Sequence, residues 1–335
     1  MSSEVWRDGR QATSRCRVRE WHARGLGFAG AKAHGRANRV AQHPSMGVAD
    51  CVATVDGRAA LRSMPAMTRA GDEPRSTFEL SKWYLDCVGE GGDVFIAYAA
   101  EVRWRALSLR YTSTLVQRAG HATHIEATLR SAPPPVIDGG VLTWAAPALD
   151  VSGRWEARAP EVRDTVLEAD DGRVEWRCWM PKARAEIALA SGPIRGLGYA
   201  EHLTLTVPPW QMPIDELWWG RFLSEDASLV WIDWRGPHTR HVVFLDGEAR
   251  GPAHIDERGL ATADGAVRLA LTEPRVLREG ALGKTALAIL PAVDAVLPVR
   301  ILATEERKWV ARGTLDRDGH HSEGWVIHEV VRWPC

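Results

Sequence analysis

The 335-residue chain is 45% hydrophobic and 25% charged, with a formal net charge of −1, so no whole-molecule field draws it to nucleic acid or an anionic membrane. Five cysteines (Cys16, Cys51, Cys87, Cys178 and Cys335), odd in number and without a C-x-x-C pair, fit the reduced thiols of a cytoplasmic protein rather than a disulfide frame or a zinc site. No apolar run approaches the roughly 20 residues of a transmembrane helix; "ALAILPAVDAVLP" is cut by Pro291, Asp294 and Pro298, which leaves a soluble protein with at most peripheral membrane contact.

The charge balance hides an asymmetry. The first 70 residues hold 12 Lys+Arg against 5 Asp+Glu, and they lack any sustained period of 2 or 3.6 that could bury an apolar face. Residues 1–75 are therefore expected to be a disordered basic extension, or the product of a start placed too early, with Met64 or Met67 as the true start in place of Met1. Glu4, Asp8 and Glu20 argue against a transit peptide, and there is no apolar core of a signal peptide.

Beyond residue 75 the pattern changes to short alternating runs. "DVFIAYAAEVRW", "ALSLRYTSTLV", "THIEATLR", "RVEWRCWM" and "AEIALA" read as strands, as do "SLVWIDWRG", "RHVVFLDG", "VRLALTE" and "GWVIHEVVRW". Asp-Gly pairs at 138–139, 171–172, 246–247, 264–265 and 318–319 are hairpin punctuation. Helical periodicity is nearly absent; "MPIDELWWGRF" has room for one short turn. The expected fold is all-β: two consecutive antiparallel barrels, a larger one over 76–236 and a smaller one over 237–335. Oligomeric state cannot be read from these patterns.

Sixteen tryptophans are the compositional outlier. Most must be core filler, since each buries a large area and strands favour them; a minority lining a pocket would make an apolar site whose ring faces can hold a cation. The familiar cofactor signatures are missing: there is no G-x-G-x-x-G before a helix, no Walker loop, no G-x-S-x-G and no H-E-x-x-H. His121/His124 and His238/His241 have helical ligand spacing but fall in strand or turn contexts, so no metal site is assigned.

What remains is "GLGYAEHLTLTV", residues 196–207. Alternation puts Tyr199, Glu201, Leu203, Leu205 and Val207 on one strand face, with Ala200, His202, Thr204 and Thr206 on the other. Gly196 and Gly198 permit close backbone approach. A carboxyl on the drier face is disfavoured as an anion, so Glu201 would hold its proton toward neutral pH and could donate it, with Tyr199 within reach. The residues alone equally allow Glu201 to be a structural ion-pair partner of Arg221 in "WWGRF".

"G-L-G-Y-A-E-H" followed by "W-G-R" resembles the signature of the hydroxyneurosporene synthase (carotenoid hydratase) and tocopherol cyclase group, in which G-x-G-Y-x-D-H-N precedes W-G-R in a lipocalin-like barrel. "SKWYLDC" is similar to that group's opening W-W-Y-F-D, with Trp83, Tyr84 and Asp86 matching, and "RVEWRCW" resembles the Trp-bearing strand before the signature, with Trp176 in place. The resemblance spans about 80–236 and implies lipocalin-like barrels and a chemistry that needs no cofactor. An acid protonates an isoprenoid C=C bond, and water or an internal hydroxyl traps the cation. It implies Glu201 and Tyr199 as catalytic residues. Trp176, Trp219, His202, Arg221 and Trp83 then contact a hydrophobic small-molecule substrate, with indole faces holding the cation. Ala200 and Leu203 depart from the group's His and Asn, and Val174 stands where a His is expected. Three readings follow: an acid-catalysed hydratase, cyclase or isomerase; a lipocalin-like carrier; or a structural β protein with a filled core. Glu329 in "GWVIHEVVRW" is a second acid among large apolar residues, read as an ion-paired glutamate on a closing strand of the second barrel, with Arg307 or Lys308 of "TEERKW" as its partner, in preference to a second active site.

Overall fold

The computed structural model describes residues 78–130, 132–289 and 297–334; the expected 1–75 extension and the alternative starts lie outside them. The first ten strands are β1 (Phe78–Gly89), β2 (Val94–Trp104), β3 (Leu107–Gln117), β4 (His124–Thr128), β5 (Val136–Asp138), β6 (Val141–Ala146), β7 (Val151–Ala157), β8 (Val162–Ala169), β9 (Gly172–Leu189) and β10 (Ile194–Leu205). They form one antiparallel sheet in the order β4-β3-β2-β1-β10-β9-β7-β6-β5, with β8 added to β9. A second sheet uses β11 (Glu216–Leu223), β12 (Ser228–Arg235), β13 (Arg240–Leu245), β14 (Glu248–Ala249), β15 (Ala253–Asp256), β16 (Gly259–Thr262), β17 (Val267–Ala281), β18 (Glu305–Arg317) and β19 (His320–Arg332). Its order is β14-β13-β12-β11-β19-β18-β17-β16-β15.

This is the all-β, two-sheet architecture expected from alternation and turn chemistry. Each Asp-Gly pair lies at a connection between successive paired strands. Asp246-Gly247 and Asp318-Gly319 have positive φ at both residues, as a two-residue primed turn requires. The allotment of strands differs from the expected division at 237. Residues 216–235 belong to the second sheet, because β11 pairs with β12 on one side and β19 on the other. The segment "MPIDELWWGRF" accordingly becomes strand from Glu216 onward.

Each sheet bends around its own core. Leu85, Phe95, Leu142, Trp155, Ile187 and Ala200 pack together inside the first, and Phe222, Leu229, Trp231, Leu269, Leu315 and Val326 inside the second. A third core, with Tyr84, Ile96, Tyr199, Trp219, Ile232 and Ile327, draws on both sheets and lies between them. So β1 from Tyr84, β10 over 198–201 and β11 from Trp218 are buried on both faces, and alternation along them separates two interiors rather than inside from outside. The glycines of the 196–202 stretch serve close approach: a Cβ at Gly196 would lie 2.0 Å from the Val88 carbonyl oxygen, and one at Gly198 2.6 Å from that of Asp86. Without that Cβ, the Trp155 indole N–H reaches the Asp86 carbonyl at 2.7 Å.

The sheets are joined by a fully buried ion pair. Arg221 on β11 donates to Asp86 on β1 from Nε at 3.1 Å and from Nη2 at 2.8 Å, and Nη1 donates to the Trp325 carbonyl at 2.9 Å. Both side chains are 0% exposed. Removing one partner of such a pair strands the other charge in an apolar medium, which costs about 3–5 kcal/mol, whereas replacing both costs far less. Arg221→Met is therefore expected to lower stability to urea by about that amount, and the Asp86→Asn/Arg221→Met double variant to recover part of it; a double variant as unstable as the single would show that the pair's geometry, not the stranded charge, holds the interface.

Candidate active site

Residues of β1, β2, β9, β10, β11, β17, β18 and β19 build a polar layer inside the core between the sheets. Glu201 is 6% exposed, and one of its oxygens collects three donors. The Trp176 indole N–H donates to Oε2 at 2.6 Å, the Tyr199 hydroxyl at 2.6 Å and the Trp219 indole N–H at 3.2 Å. Trp176 comes from β9, where it pairs with Leu203 of β10, and Trp219 reaches across from the second sheet. No guanidinium or ammonium contacts Glu201 among the described residues; Lys82 acts on it only through its field. Arg221, the alternative partner, is committed to Asp86.

Burial pushes the Glu201 carboxyl above its ordinary value, and the three donors and Lys82 only partly counter this. Two indole N–H groups can only donate, so with Oε2 occupied by them the proton of the neutral acid belongs on Oε1. The geometry thus distinguishes the two oxygens, Oε2 being the one that holds all three donors. Tyr199 is itself pushed far above its usual range by burial, then by its acidic neighbours, and stays a neutral donor.

Around this carboxyl the rings interlock edge to face: Tyr84 with Trp219 at 4.9 Å, Tyr84 with Tyr98 at 5.4 Å, and Tyr199 with Trp219 at 5.7 Å between centroids. The Lys308 ammonium sits 5.2 Å from the Tyr84 ring, 5.3 Å from Trp219 and 5.6 Å from Tyr98. It is ion-paired with Glu329, which confirms Lys308 rather than Arg307 as that glutamate's partner. Beside them Arg278 donates to Glu306 from Nε at 3.1 Å and from Nη2 at 2.7 Å. Asp86 and Arg221 lie one step deeper along β1 and β11. At the opposite end, half-buried Leu80, Val102, Trp104, Leu203, Trp210, Leu217 and Trp333 cover the core.

Of the residues singled out in the sequence, Glu201, Tyr199, Trp176 and Trp219 meet directly, with Arg221 beneath them. His202 and Trp83 do not join them. They project from the opposite faces of β10 and β1, stacked on each other at 4.6 Å, with the Ser81 hydroxyl 2.8 Å from His202 Nε2. Burial and Arg177 hold His202 below its usual range. The indoles also work differently from expectation: Trp176 and Trp219 turn their N–H edges to Glu201, while Phe244 stacks on Trp176 at 6.1 Å and Lys308 occupies a face of Trp219. Lys82, Tyr84 and Asp86, missed as site residues, alternate through "SKWYLDC" on the face opposite Trp83, a signal that sequence carries. His238 and His241 part company, the first meeting the Val166 carbonyl and the second Asp233. Two surface concavities of about 540 and 450 Å³ lie on the flank of the first sheet, around Trp144 and around Leu149, and no residue of the polar layer lines them.

No family model and no curated protein matches the chain. Among solved structures it is similar to the kievitone hydratase of Nectria haematococca, at 11% identity and a TM-score of 0.47 over 77% of this chain and 90% of that one. It is also similar to CghA with Sch210972, at 10% identity and a TM-score of 0.46 over 76% and 89%. A second CghA structure gives 11% identity and 0.45 over 79% and 94%. These are loose likenesses of shape.

Because burial raises the native Glu201 carboxyl, the folded chain keeps a proton that the unfolded chain loses near the ordinary value of 4.5. The native state binds more protons in that window, so stability falls as pH rises from the ordinary value through the native one. Glu201→Gln should remove this slope in urea midpoints measured against pH, and identical curves would mean Glu201 ionises normally. Trp176→Phe, which deletes a donor to the anion, should shift the native ionisation of Glu201 to still higher pH, followed by the infrared band of the protonated carboxyl.

Proposed function

We propose that this protein is a cofactor-independent, acid-catalysed enzyme of hydratase or cyclase type acting on an apolar, isoprenoid-like substrate, with Glu201 as the proton donor. The observation that carries the reading is a buried carboxyl held by neutral donors and touched by no cation among the described residues. A structural glutamate in such a place would be expected to have an ion-pair partner, and the available arginine is bound elsewhere. A neutral carboxylic acid in an apolar core can deliver its proton to a trisubstituted C=C bond, forming a C–H bond and a tertiary cation.

Each neighbour then has a task. Trp176, Trp219 and Tyr199 stabilise the carboxylate that remains on Oε2 after the proton leaves Oε1, lowering the cost of separating charge where water is excluded. Only the ring faces not already covered by Phe244 or Lys308 remain to present an electron-rich surface to a cation. The half-buried apolar residues that cover one end of the core, from Leu80 to Trp333, are the side from which a hydrophobic substrate would enter. Water or a hydroxyl of the substrate traps the cation, giving a hydrated or a cyclic product. His202 and Trp83 take no part, since both face the interior of the first sheet.

The test uses all-trans-farnesol, an isoprenoid alcohol with trisubstituted double bonds, as the probe. The wild-type protein should convert it to hydrated or cyclised products, and Glu201→Gln should lower that turnover about a hundred- to ten-thousand-fold with the fold intact by circular dichroism. Undiminished turnover by folded Glu201→Gln would remove the acid role. Farnesol that quenches tryptophan emission and returns unchanged would instead make the protein a carrier.

A further inference from the structure

We propose that Glu329 is the general base of the same site, taking the proton from the water or hydroxyl that traps the cation; this inference rests on the acid role given to Glu201. The two glutamates come from different sheets, β10 and β19, and Trp219 stands between them. Its indole N–H reaches Glu201 at 3.2 Å, and its backbone is the direct cross-strand partner of Glu329. Lys82 feels both carboxyls. They therefore belong to one layer, on either side of the ring cluster formed by Tyr84, Tyr98 and Trp219.

Their surroundings divide the labour. Nothing cationic touches Glu201, and burial favours its neutral form. Burial also pushes Glu329 up, but Lys308 in direct contact, with Lys82 and Arg278 nearby, outweighs it and holds the carboxyl ionised down to about 2. Two carboxyls whose environments separate their proton affinities are suited to act as an acid and a base at one pH. So weak a base suffices, because the species it must deprotonate is an oxonium ion, far more acidic than a carboxylic acid.

The other candidates are excluded by their protonation or their placement. Glu306 is raised by burial and by Glu329, which favours its neutral form over the anion a base needs. Tyr84 is pushed well above its usual range, burial being the main cause, so it does not ionise. His328 follows Ile327 on β19 with its ring among Trp218, Trp231 and Trp309, inside the second sheet.

The step closes in atoms and electrons. The C=C π pair takes the Glu201 proton, and the Oε1–H bond breaks. A lone pair of water forms the C–O bond. The O–H bond of that oxonium breaks toward Glu329. Glu329 then loses its proton to solvent, Glu201 regains one, and the net change is addition of water or, with an internal hydroxyl, ring closure.

The experiment follows all-trans-farnesol with each variant in D₂O, scoring deuterium in the recovered alkene separately from product. Protonation by Glu201 and return of a proton to it exchange the alkene hydrogen without Glu329. In Glu329→Gln, exchange should persist within about threefold of wild type, while hydrated and cyclised product falls about a hundredfold or more. Because the single variant strands Lys308, the Lys308→Met/Glu329→Gln double variant is run beside it and should show the same split. Product at the wild-type rate in either folded variant overturns the base role. Loss of exchange together with product in both folded variants also overturns it, since that is the signature of a merely structural ion pair. Wild-type protein that neither exchanges nor converts the probe removes the acid reading itself, an outcome distinct from failure of Glu329 alone.

Discussion

The bidentate contact between Arg221 and Asp86 sets where one sheet stands on the other. Two apolar sheet faces can slide over each other with little change in buried area, because hydrophobic burial is non-directional. A guanidinium and a carboxylate that have both lost all contact with water cannot slide, since any displacement leaves charge unpaired in a medium where it is poorly solvated. The third arginine contact, to the Trp325 carbonyl, ties β19 into the same registration. Tyr84 and Asp86 lie two residues apart on β1, and Trp219 and Arg221 two apart on β11, so fixing Asp86 against Arg221 fixes Tyr84 against Trp219. Trp219 is then placed to reach Glu201. The functional layer inherits its precision from an ion pair that takes no part in the proposed chemistry.

The sequence made some of this legible and concealed the rest for an identifiable reason. Alternation around "YAEH" correctly paired Glu201 with Tyr199, and hairpin chemistry at Asp246-Gly247 and Asp318-Gly319 correctly marked strand connections. The resemblance, not alternation, selected Trp83 and His202, which face the other way; alternation had already put His202 opposite Glu201. In a strand with one wet face, polarity tells which side is buried. In β1 and β10 both faces are buried, one against the interior of the first sheet and one against the second sheet, so hydrophobicity cannot say which of two dry faces meets the partner. Only the pairing of Asp86 with Arg221, separated by 135 residues, decides it. For β11 the difficulty was one of membership: "WWGRF" follows the Glu201 strand closely in the chain but hydrogen-bonds to β19, and local pattern carries no information about so distant a partner.

The resemblance to the carotenoid hydratase and tocopherol cyclase signature acquires a physical content at this point. "SKWYLDC", "RVEWRCW", "GYAEH" and "WWGRF" are far apart in the chain, yet Tyr84, Asp86, Trp176, Tyr199, Glu201, Trp219 and Arg221 from these four segments all face the space between the sheets. Asp86 and Arg221 supply registration, Tyr84 and Tyr199 supply rings and a donor, and the two tryptophans supply N–H groups to one carboxyl oxygen. Indoles suit that last task because each fills volume in a dry core while offering a single donor that cannot also accept or ionise. An arginine in either place would have favoured Glu201 as an anion, the form that the proposed acid role does not use.

Packing also explains why such chemistry belongs between the sheets rather than inside either one. The first interior is filled by Trp155, Phe95 and Leu142, all fully buried, and its wall at Gly198 has no room for one further carbon. The second is filled by Trp231, Phe222 and Leu315, and a Cβ at Gly220 would lie 2.2 Å from the Trp231 ring. Interiors at crystal-like density have no space for a substrate and resist opening, because every displaced atom forfeits contacts on several sides. The seam between the sheets is different in kind. It combines acids, cations and hydroxyls with rings, and its residues at one end are only half buried. A buried polar layer lowers stability unless its groups find partners, and here Glu201 has three neutral donors while Arg278 is paired with Glu306 and Lys308 with Glu329.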